Sequence, residues 1–354
     1  MRINEVRTMK ALVLKAYHHF SYEDVPEPEC GPDDLLVRVK ACAICGSDVH
    51  GMDGGTGRRI PPLIMGHEAA GVVAAVGKNV LARGRFGVGD AIVFDSTLYC
   101  GECWYCRRGQ VNLCDNRRVL GVSCDAYRQH GAMAEYIAIP WQIAYPLPEG
   151  IPFEEAAMIE PVAIAVHAVF QSPPLLNDTA VVVGVGMIGL FVVQILRLAG
   201  CGQIIAVDLE PQKLELAAKL GATFCLEANR SDLAPQVRAL TNQRGADLAF
   251  EAVGIGATVQ TAVALLRKGG TLTLIGNLKP QIDFPLQAVV TRQIAVKGSC
   301  ASSGEYPICL DFLKQNTVKV EPLLSAVAPL QDGAVWFERL YKKEPGLMKV
   351  VLVP

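Results

Sequence analysis

The run TAVVVGVGMIG, residues 179–189, constrains the fold of this chain more than any other stretch. Its continuous apolar, β-branched start predicts a strand buried on both faces, and the apolar run MIGLFVVQILRLAG that overlaps its end predicts a helix. Between them lies the spacing G-x-G-x-x-G. Such glycines let the backbone approach a pyrophosphate, which the free N–H groups at the helix start attract. The residues predicted to contact a dinucleotide here are Gly184, Gly186, Met187, Ile188 and Gly189.

An acidic residue follows at the spacing that this kind of turn requires. The next predicted strand, QIIAVD, ends at Asp208, nineteen positions after Gly189. A carboxylate at this point binds the 2'-hydroxyl of a ribose and repels a 2'-phosphate. Leu209, Glu210 and Pro211 supply no arginine to bind that phosphate. The sequence therefore favours NAD over NADP.

Helix and strand patterns alternate from about residue 165 to 295, which indicates βαβ units and a doubly wound parallel sheet. The last pair in this series is TVQTAVALLRKGG as a helix and TLTLIGN as a strand. At 354 residues the chain is long enough for two domains. We therefore expect an α/β protein in which residues 165–295 bind the dinucleotide and residues 1–164 and 296–354 form a second domain.

Composition excludes several partners. The formal net charge is −2, so the chain has no excess of basic residues for nucleic acid or an anionic membrane, and a small, uncharged or mildly polar substrate is expected. The sequence shows neither a secretion signal nor an apolar run of membrane-spanning length, which predicts a cytoplasmic protein.

Four of the twelve cysteines lie within YCGECWYCRRGQVNLC, at Cys100, Cys103, Cys106 and Cys114. Reducing cytoplasm argues against disulfides and in favour of metal. The spacing is neither that of a zinc ribbon nor that of a bacterial ferredoxin. Four buried free thiols are the alternative, but the intervening residues are polar and would not be held by packing alone. We predict a closed, tetrahedral structural zinc site.

A second candidate metal site is dispersed along the chain. Cys45 follows the strand-like run LLVRVKA, His67 and Glu68 lie in GHEAAGVVAAVG, and Glu160 interrupts the apolar run AAMIEPVAIAVHAV. Cys45 could be a buried thiol and Glu160 a salt-bridged residue at a helix start, but together the four favour a catalytic metal with one open position. His167 is interpreted as a core histidine.

The motifs C-G-S-D at residues 45–48, GHEAAGVVAAVG, the four-cysteine lobe and GVGMIG occur in an order that resembles zinc-dependent medium-chain dehydrogenases/reductases over nearly the whole chain. Glu160 within IPFEEAAMIEPVAIAVHA resembles the polyol branch, which includes sorbitol and galactitol-phosphate dehydrogenases, and threonine dehydrogenases have a similar glutamate. The resemblance implies a GroES-like, mostly β catalytic domain, a Rossmann domain, two zinc ions per subunit, and NAD.

The resemblance also implies roles at the metal. Cys45 and His67 match ligands of the catalytic zinc, and either Glu68 or Glu160 is the third ligand. The glutamate that is not bound would exchange with water or hydrogen-bond a second hydroxyl of the substrate. Asp48 would orient His67, since a metal-bound imidazole needs a partner for its other nitrogen.

The implied reaction moves a hydride from a secondary alcohol to NAD. A zinc ion lowers the pKa of a bound water to about 7 and should act similarly on a bound hydroxyl. Ser47 and His50 match a relay that carries the proton to solvent, and Lys213, five residues after Asp208, matches a residue that holds the adenosine ribose. Members of this family are commonly homodimers or homotetramers.

Two departures argue against sorbitol itself. Ala301 and Ser302 occupy the positions of an Arg-Tyr pair in sorbitol dehydrogenases, and Gly51 stands where those enzymes often have tyrosine. The rival functions are a threonine-type or butanediol-type dehydrogenase and a phosphorylated-polyol dehydrogenase. In the latter, Arg58 and Arg59 would hold the phosphate, although an arginine pair in a loop is more often a solvated face.

A non-catalytic NAD(H)-binding zinc protein is the rival of another class. Such relatives usually lack the zinc ligands or the relay, whereas this chain has Cys45, Ser47, His50 and His67.

Overall fold

The computed structural model describes residues 7–354, which form two compact units. The first comprises the chain up to Glu160 together with Tyr306–Pro354, and the second comprises Pro161–Glu305. The sequence predicts that the chain re-enters the first domain at residue 296. In the structure, strand Ala295–Gly298 instead pairs with the parallel sheet of the second unit. The return therefore comes after Glu305. Among the described residues, no helix combines the length and apolar character that a membrane crossing needs.

The part of the chain before residue 159 is mostly β. Its strands are β1 (Thr8–Ala16), β2 (His19–Pro26), β3 (Asp34–Ala43), β4 (Leu63–Ile64), β5 (Glu68–Val76), β6 (Ala91–Phe94), β7 (Thr97–Leu98), β8 (Arg118–Val119), β9 (Val122–Ser123), β10 (Arg128–Gln129), β11 (Tyr136–Pro140) and β12 (Ala144–Pro146). Its helices are the single turns α1 (Gly46–Val49), α2 (Lys78–Leu81) and α3 (Phe153–Ala156).

Strands and helices then alternate, as the sequence predicts. They are α4 (Ile159–Gln171), β13 (Thr179–Val183), α5 (Met187–Leu198), β14 (Gln203–Asp208), α6 (Pro211–Lys219), β15 (Phe224–Glu227), α7 (Leu233–Leu240), β16 (Ala246–Glu251), α8 (Gly256–Leu265), β17 (Leu266–Leu274), α9 (Leu286–Thr291) and β18 (Ala295–Gly298). The chain ends with α10 (Tyr306–Lys314), β19 (Leu324–Pro329), α11 (Gly333–Tyr341) and β20 (Lys349–Val353).

A seven-stranded sheet organises the first unit. Its order is β12-β6-β5-β3-β20-β19, and β11 also pairs with β3. Leu35, Val37, Val73, Ile92 and Leu352 lie in one buried core around it. Strands β3 and β5 are antiparallel with Ala43 opposite Glu68, which brings the ends of these two strands together.

The second unit has a six-stranded parallel sheet in the order β15-β14-β13-β16-β17-β18. The order reverses beside β13, and ligands bind at such a switch point in open parallel sheets. One boundary differs from the sequence prediction. Helix α8 ends at Leu265, and β17 begins at Leu266, ahead of the two glycines, because Leu266 pairs with Ala246 of β16.

Candidate active site and metal sites

The four-cysteine lobe brings its sulfur atoms together. The ligand atoms of Cys100, Cys103, Cys106 and Cys114 all lie within 4.8 Å of one another. The sulfur atoms of Cys100 and Cys114 are 3.6 Å apart, close to the roughly 3.8 Å that a tetrahedron with Zn–S bonds of ~2.3 Å requires. The four sulfurs therefore fit a zinc ion with no open position.

Backbone amides in this lobe stabilise negative charge on sulfur. The N–H of Cys103 donates to the Cys100 sulfur at 3.4 Å, and the N–H groups of Cys100 and Asn116 donate to the Cys114 sulfur at 3.3 Å. Hydrogen bonds from the backbone of Glu102 and Cys103 lower the pKa of Cys100 to about 6. The thiolate form of Cys100 is thus favoured before any metal arrives, whereas burial raises the pKa of Cys106 to about 12.

The second metal candidate forms at the paired ends of β3 and β5. Cys45 lies two residues beyond β3, while His67 and Glu68 begin β5, so the register of these strands places all three side by side. Their ligand atoms lie within 4.8 Å of one another. His67 and Glu68 are buried and Cys45 is partly exposed. One thiol, one imidazole and one carboxylate, open on one side, fit a catalytic zinc.

Asp48 lies next to His67 and faces its Nδ1 atom. It is fully buried, and its Oδ2 atom lies 3.4 Å from His67 Nδ1. Among the described residues neither atom has a hydrogen-bond partner, so Nδ1 is free to donate to Asp48 once the ring turns its other nitrogen to a metal. Burial alone would raise the pKa of Asp48, but the charges of His67 and Arg59 outweigh burial and lower it.

Glu68 has a cationic partner that the sequence analysis did not identify. Lys349, the first residue of β20, lies with its Nζ atom 2.6 Å from Glu68 Oε2, and Nζ also donates to the carbonyl oxygen of Ile44 at 3.2 Å. Only 3% of Lys349 is exposed. In the sequence, the one sign of this buried cation is a lysine at the start of the apolar run KVVLV.

Glu160, the second residue of α4, is buried near this site. Burial is the main cause that raises its pKa to about 8; the charges of Glu68 and Asp95 add to the effect, and those of His67 and Lys349 oppose it. Among the described residues, the group of close ligand atoms around Cys45 does not include Glu160.

The predicted relay residues lie on α1 and just after it. Ser47 Oγ is 3.3 Å from the Cys45 sulfur, and His50 is exposed three residues further on, at the end of the helix. Arg59 contradicts both interpretations made from the sequence: it is neither a solvated side chain nor free for a phosphate. It is 4% exposed and hydrogen-bonded to Asp48.

The glycine turn has the shape that a dinucleotide needs. Gly184 has a φ of +86°, and a Cβ atom on Gly189 would lie 2.0 Å from the Gly184 carbonyl oxygen. By contrast, a Cβ on Gly186 would meet nothing within 4 Å, so open space remains where the backbone would face a pyrophosphate. Helix α5 begins at Met187 directly after this glycine, with Ile188 next in its first turn.

Asp208 closes the turn from the neighbouring strand. Its two carboxylate oxygens accept the N–H groups of Val185 at 2.8 Å and Glu210 at 3.0 Å. Lys213 pairs with Glu210 at 2.6 Å. His167, also in this unit, is buried with Nδ1 2.6 Å from Glu305, in keeping with a core histidine.

Together, a dinucleotide-type parallel sheet, a four-thiolate lobe and a Cys-His-Glu cluster define a zinc-dependent oxidoreductase. Residues 31–149 match the alcohol dehydrogenase GroES-like domain, and residues 187–315 match the zinc-binding dehydrogenase domain. The chain is 33% identical to sorbitol dehydrogenase of Bacillus subtilis over 353 residues, 98% of each protein. It belongs to the zinc-binding, medium-chain alcohol dehydrogenase family.

Two other relatives bear on substrate and cofactor. D-arabitol-phosphate dehydrogenase of Enterococcus avium is 32% identical over 341 residues, 94% of this chain and 95% of that one. A zinc-binding dehydrogenase of Sinorhizobium meliloti, solved with NADP, has a TM-score of 0.87 and 30% identity over 98% of this chain and all of that one. The predicted class, an NAD-dependent zinc polyol dehydrogenase with GroES-like and Rossmann domains, is confirmed.

Proposed function

We propose that this protein oxidises a secondary alcohol of an unphosphorylated polyol to the ketone, with Cys45, His67 and Glu68 as ligands of the catalytic zinc. The observation that carries the proposal is the close cluster of these three side chains, two of them buried, beside the hydroxyl of Ser47. When bound, zinc supplies a Lewis acid for the substrate oxygen, and NAD supplies the hydride acceptor.

The charges of the protein favour an anionic oxygen at this place. Two buried carboxylates, Asp48 and Glu68, are each paired with a cation, Arg59 or Lys349. In the metal-free protein Glu160 is protonated at neutral pH because its pKa is about 8. Of the three proposed ligands, Cys45 alone lacks a cationic partner, so the paired carboxylate would leave part of the charge of a divalent cation uncompensated.

The remaining side chains handle protons and a second hydroxyl. Ser47 accepts the alcohol proton as its own hydroxyl hydrogen passes on toward His50, which is exposed three residues later and releases a proton to solvent. Glu160, which lies outside the close ligand group, donates its proton in a hydrogen bond to a neighbouring hydroxyl of the substrate. This last contact favours polyols over simple alcohols.

A phosphorylated polyol is the second candidate, because D-arabitol-phosphate dehydrogenase is among the relatives. Of the two arginines that could hold a phosphate, Arg59 is occupied by Asp48, and Arg58 alone is exposed. Ala301 and Ser302 add no cation where sorbitol dehydrogenases have an Arg-Tyr pair. We therefore favour an unphosphorylated polyol other than sorbitol.

The Rossmann unit holds the cofactor through its glycine turn, with Asp208 on the ribose 2'-hydroxyl and Lys213 beside the adenosine ribose. NAD is favoured because the Asp208 carboxylate would repel a 2'-phosphate.

Assembly and compartment are further parts of the proposal. Strand β18 is exposed along its whole length at the edge of the parallel sheet, where it can pair with the same strand of a second copy, so we favour a homodimer or a homotetramer. The twelve free cysteines suit the reducing cytoplasm.

The test is NADH formation by the zinc-loaded protein with sorbitol, xylitol, galactitol, galactitol phosphate, butanediol and threonine. Turnover of an unphosphorylated polyol that a chelator abolishes and zinc restores is the expected result, and His67→Ala is the inactive control. Preference for the phosphate ester would support the second candidate. Threonine or butanediol as the only substrate would contradict the polyol assignment, and NADH binding without any turnover would indicate a non-catalytic protein.

A further inference from the structure

We propose that Arg59 is a positioning residue of the active site, which holds Asp48 and Ser47 in the orientations that they need to act on His67 and on the substrate proton. This inference rests on the proposed function. Arg59 is not a member of the close ligand group, and it acts through the two residues that it binds, Asp48 and the proton acceptor Ser47.

The first contact fixes which carboxylate oxygen faces the histidine. Nε and Nη2 of Arg59 donate to the same atom, Asp48 Oδ1, at 2.9 Å and 2.7 Å. The other oxygen, Oδ2, is left toward His67 Nδ1 at 3.4 Å. Since Asp48 is fully buried, no water competes for this arrangement, and the planar guanidinium determines the tilt of the carboxylate.

The second contact fixes a hydroxyl. Nη2 also donates to Ser47 Oγ at 3.2 Å. An arginine has donors only, so Ser47 Oγ must accept this bond, and its own hydrogen must point elsewhere. The Cys45 sulfur, 3.3 Å from Oγ, lies in that direction. One guanidinium thus orients both the support of His67 and the first group of the proton relay.

Gly51 leaves room for the side chain of Arg59. A Cβ atom on Gly51 would lie 2.3 Å from Cγ and 3.1 Å from Cβ of Arg59, and 3.0 Å from the carbonyl oxygen of Ser47. The aliphatic stem of Arg59 therefore fills the space in which a side chain at position 51 would begin. This explains physically why the chain has glycine where sorbitol dehydrogenases often have tyrosine.

The backbone around Arg59 is anchored independently of the site. The N–H of Ile60 donates to the carbonyl of Ser123 in β9 at 3.1 Å, and the N–H of Ser123 donates to the carbonyl of Arg58 at 3.3 Å. A change of the side chain alone should therefore leave the path of the loop intact.

The experiment compares Arg59→Lys and Arg59→Met with the wild type, with Arg118→Met, an exposed arginine of β8, as the matched control. We expect both Arg59 variants to bind NADH normally, to lose about 10–100-fold in zinc affinity or in kcat per bound zinc, and to alter the visible spectrum of cobalt bound in place of zinc. Lysine keeps the charge but not the two-pronged geometry, so Arg59→Lys should recover little of the loss. Gly51→Ala should show the same defect, and the double variant Gly51→Ala/Arg59→Met should be no worse than the poorer single variant.

The proposal is overturned if the Arg59 variants lose only stability while kcat per zinc, zinc affinity and the cobalt spectrum stay at wild-type values. If Arg59→Met does not fold, the same three measurements on Arg59→Lys decide the outcome. If the wild type turns over no polyol, the proposed function fails, but zinc affinity and the cobalt spectrum still decide whether Arg59 positions the ligand group.

Discussion

Lys349→Met would remove the cation that neutralises Glu68 in the interior of the first unit. The Nζ–Oε2 distance is 2.6 Å, and the exposed fractions of the two side chains are 3% and 1%. Methionine has a similar length and fills the same space, so the change removes charge with little loss of packing. Glu68 would then be a buried carboxylate without its cation in the metal-free protein.

The loss of stability in Lys349→Met follows from the burial of the ion pair. Removal of one partner from a buried ion pair costs about 3–5 kcal/mol, because the remaining charge stays desolvated. The carbonyl of Ile44 also loses its donor, which adds about 1 kcal/mol. Glu68→Gln should cost about 3 kcal/mol for the same reason, whereas the double variant Lys349→Met/Glu68→Gln buries no unpaired charge and should recover most of the loss.

Urea denaturation of the four proteins, each treated with the same chelator, measures these differences as a double-mutant cycle. We expect a coupling energy of about 5 kcal/mol in favour of the pair, because the two single losses sum to about 7 kcal/mol or more and the double variant should keep a loss of only about 2 kcal/mol. Lys349→Arg keeps the charge and serves as the matched control, with a smaller loss than Lys349→Met. If the costs of the two single changes simply add in the double variant, the reasoning from a coupled buried pair is wrong.

Three further results follow from the site. In metal-free protein, Glu160 has a pKa raised from 4.5 to about 8, so its contribution to stability is complete below about pH 4.5 and declines as the pH rises toward 8. Between about pH 5.5 and 7.5, the free energy of unfolding of the wild type, measured by urea denaturation, should therefore fall by about 3 kcal/mol more than that of Glu160→Gln. An equal pH dependence of the two proteins would refute the assigned pKa. Gly186→Val should weaken NADH binding at least about tenfold in a fluorescence titration, but it should leave the melting temperature unchanged, because a Cβ atom there meets no protein atom. Gly189→Ala should instead lower the melting temperature, because a Cβ atom there would meet the Gly184 carbonyl oxygen. Cys103→Ser should reduce bound zinc by about one ion per chain and lower stability while the Cys45 site keeps its metal; loss of both ions would contradict two independent sites.

The fold could be predicted where local pattern and topology agree. The run through Gly186 combines a β-branched strand, a glycine turn and an apolar helix, and only a parallel sheet satisfies all three. The domain boundary could not be predicted, because β18 is short, exposed and without periodicity. It belongs to the second unit only through its pairing with β17, a property that its own residues do not encode.

The candidate site shows the same division between local and distant information. The proximity of Cys45, His67 and Glu68 could be predicted because each lies in a recognisable short run, and their role as zinc ligands stays a prediction. Lys349 could not, since it lies 281 residues from Glu68 in sequence and looks like an ordinary residue at a strand start. Arg59 is only eleven residues from Asp48, but its neighbours suggest a solvated loop until the structure shows it buried.

What the sequence hides is the charge balance on which the site depends. Without Arg59 and Lys349, the carboxylates of Asp48 and Glu68 and the Cys45 thiolate would place three negative charges close together, more than the charge of a divalent cation can balance. In the metal-free protein each of these carboxylates is paired with a cation and Glu160 is protonated at neutral pH, so Cys45 is the one proposed ligand whose negative charge would be uncompensated. The charge of Lys349 reduces the attraction of the pocket for zinc and leaves positive charge for the substrate oxygen. For Arg59, the same charge effect is outweighed by its hold on Asp48, so its loss is expected to weaken the site. The place of these two buried cations in the structure therefore follows from the reaction as much as from the stability of the fold.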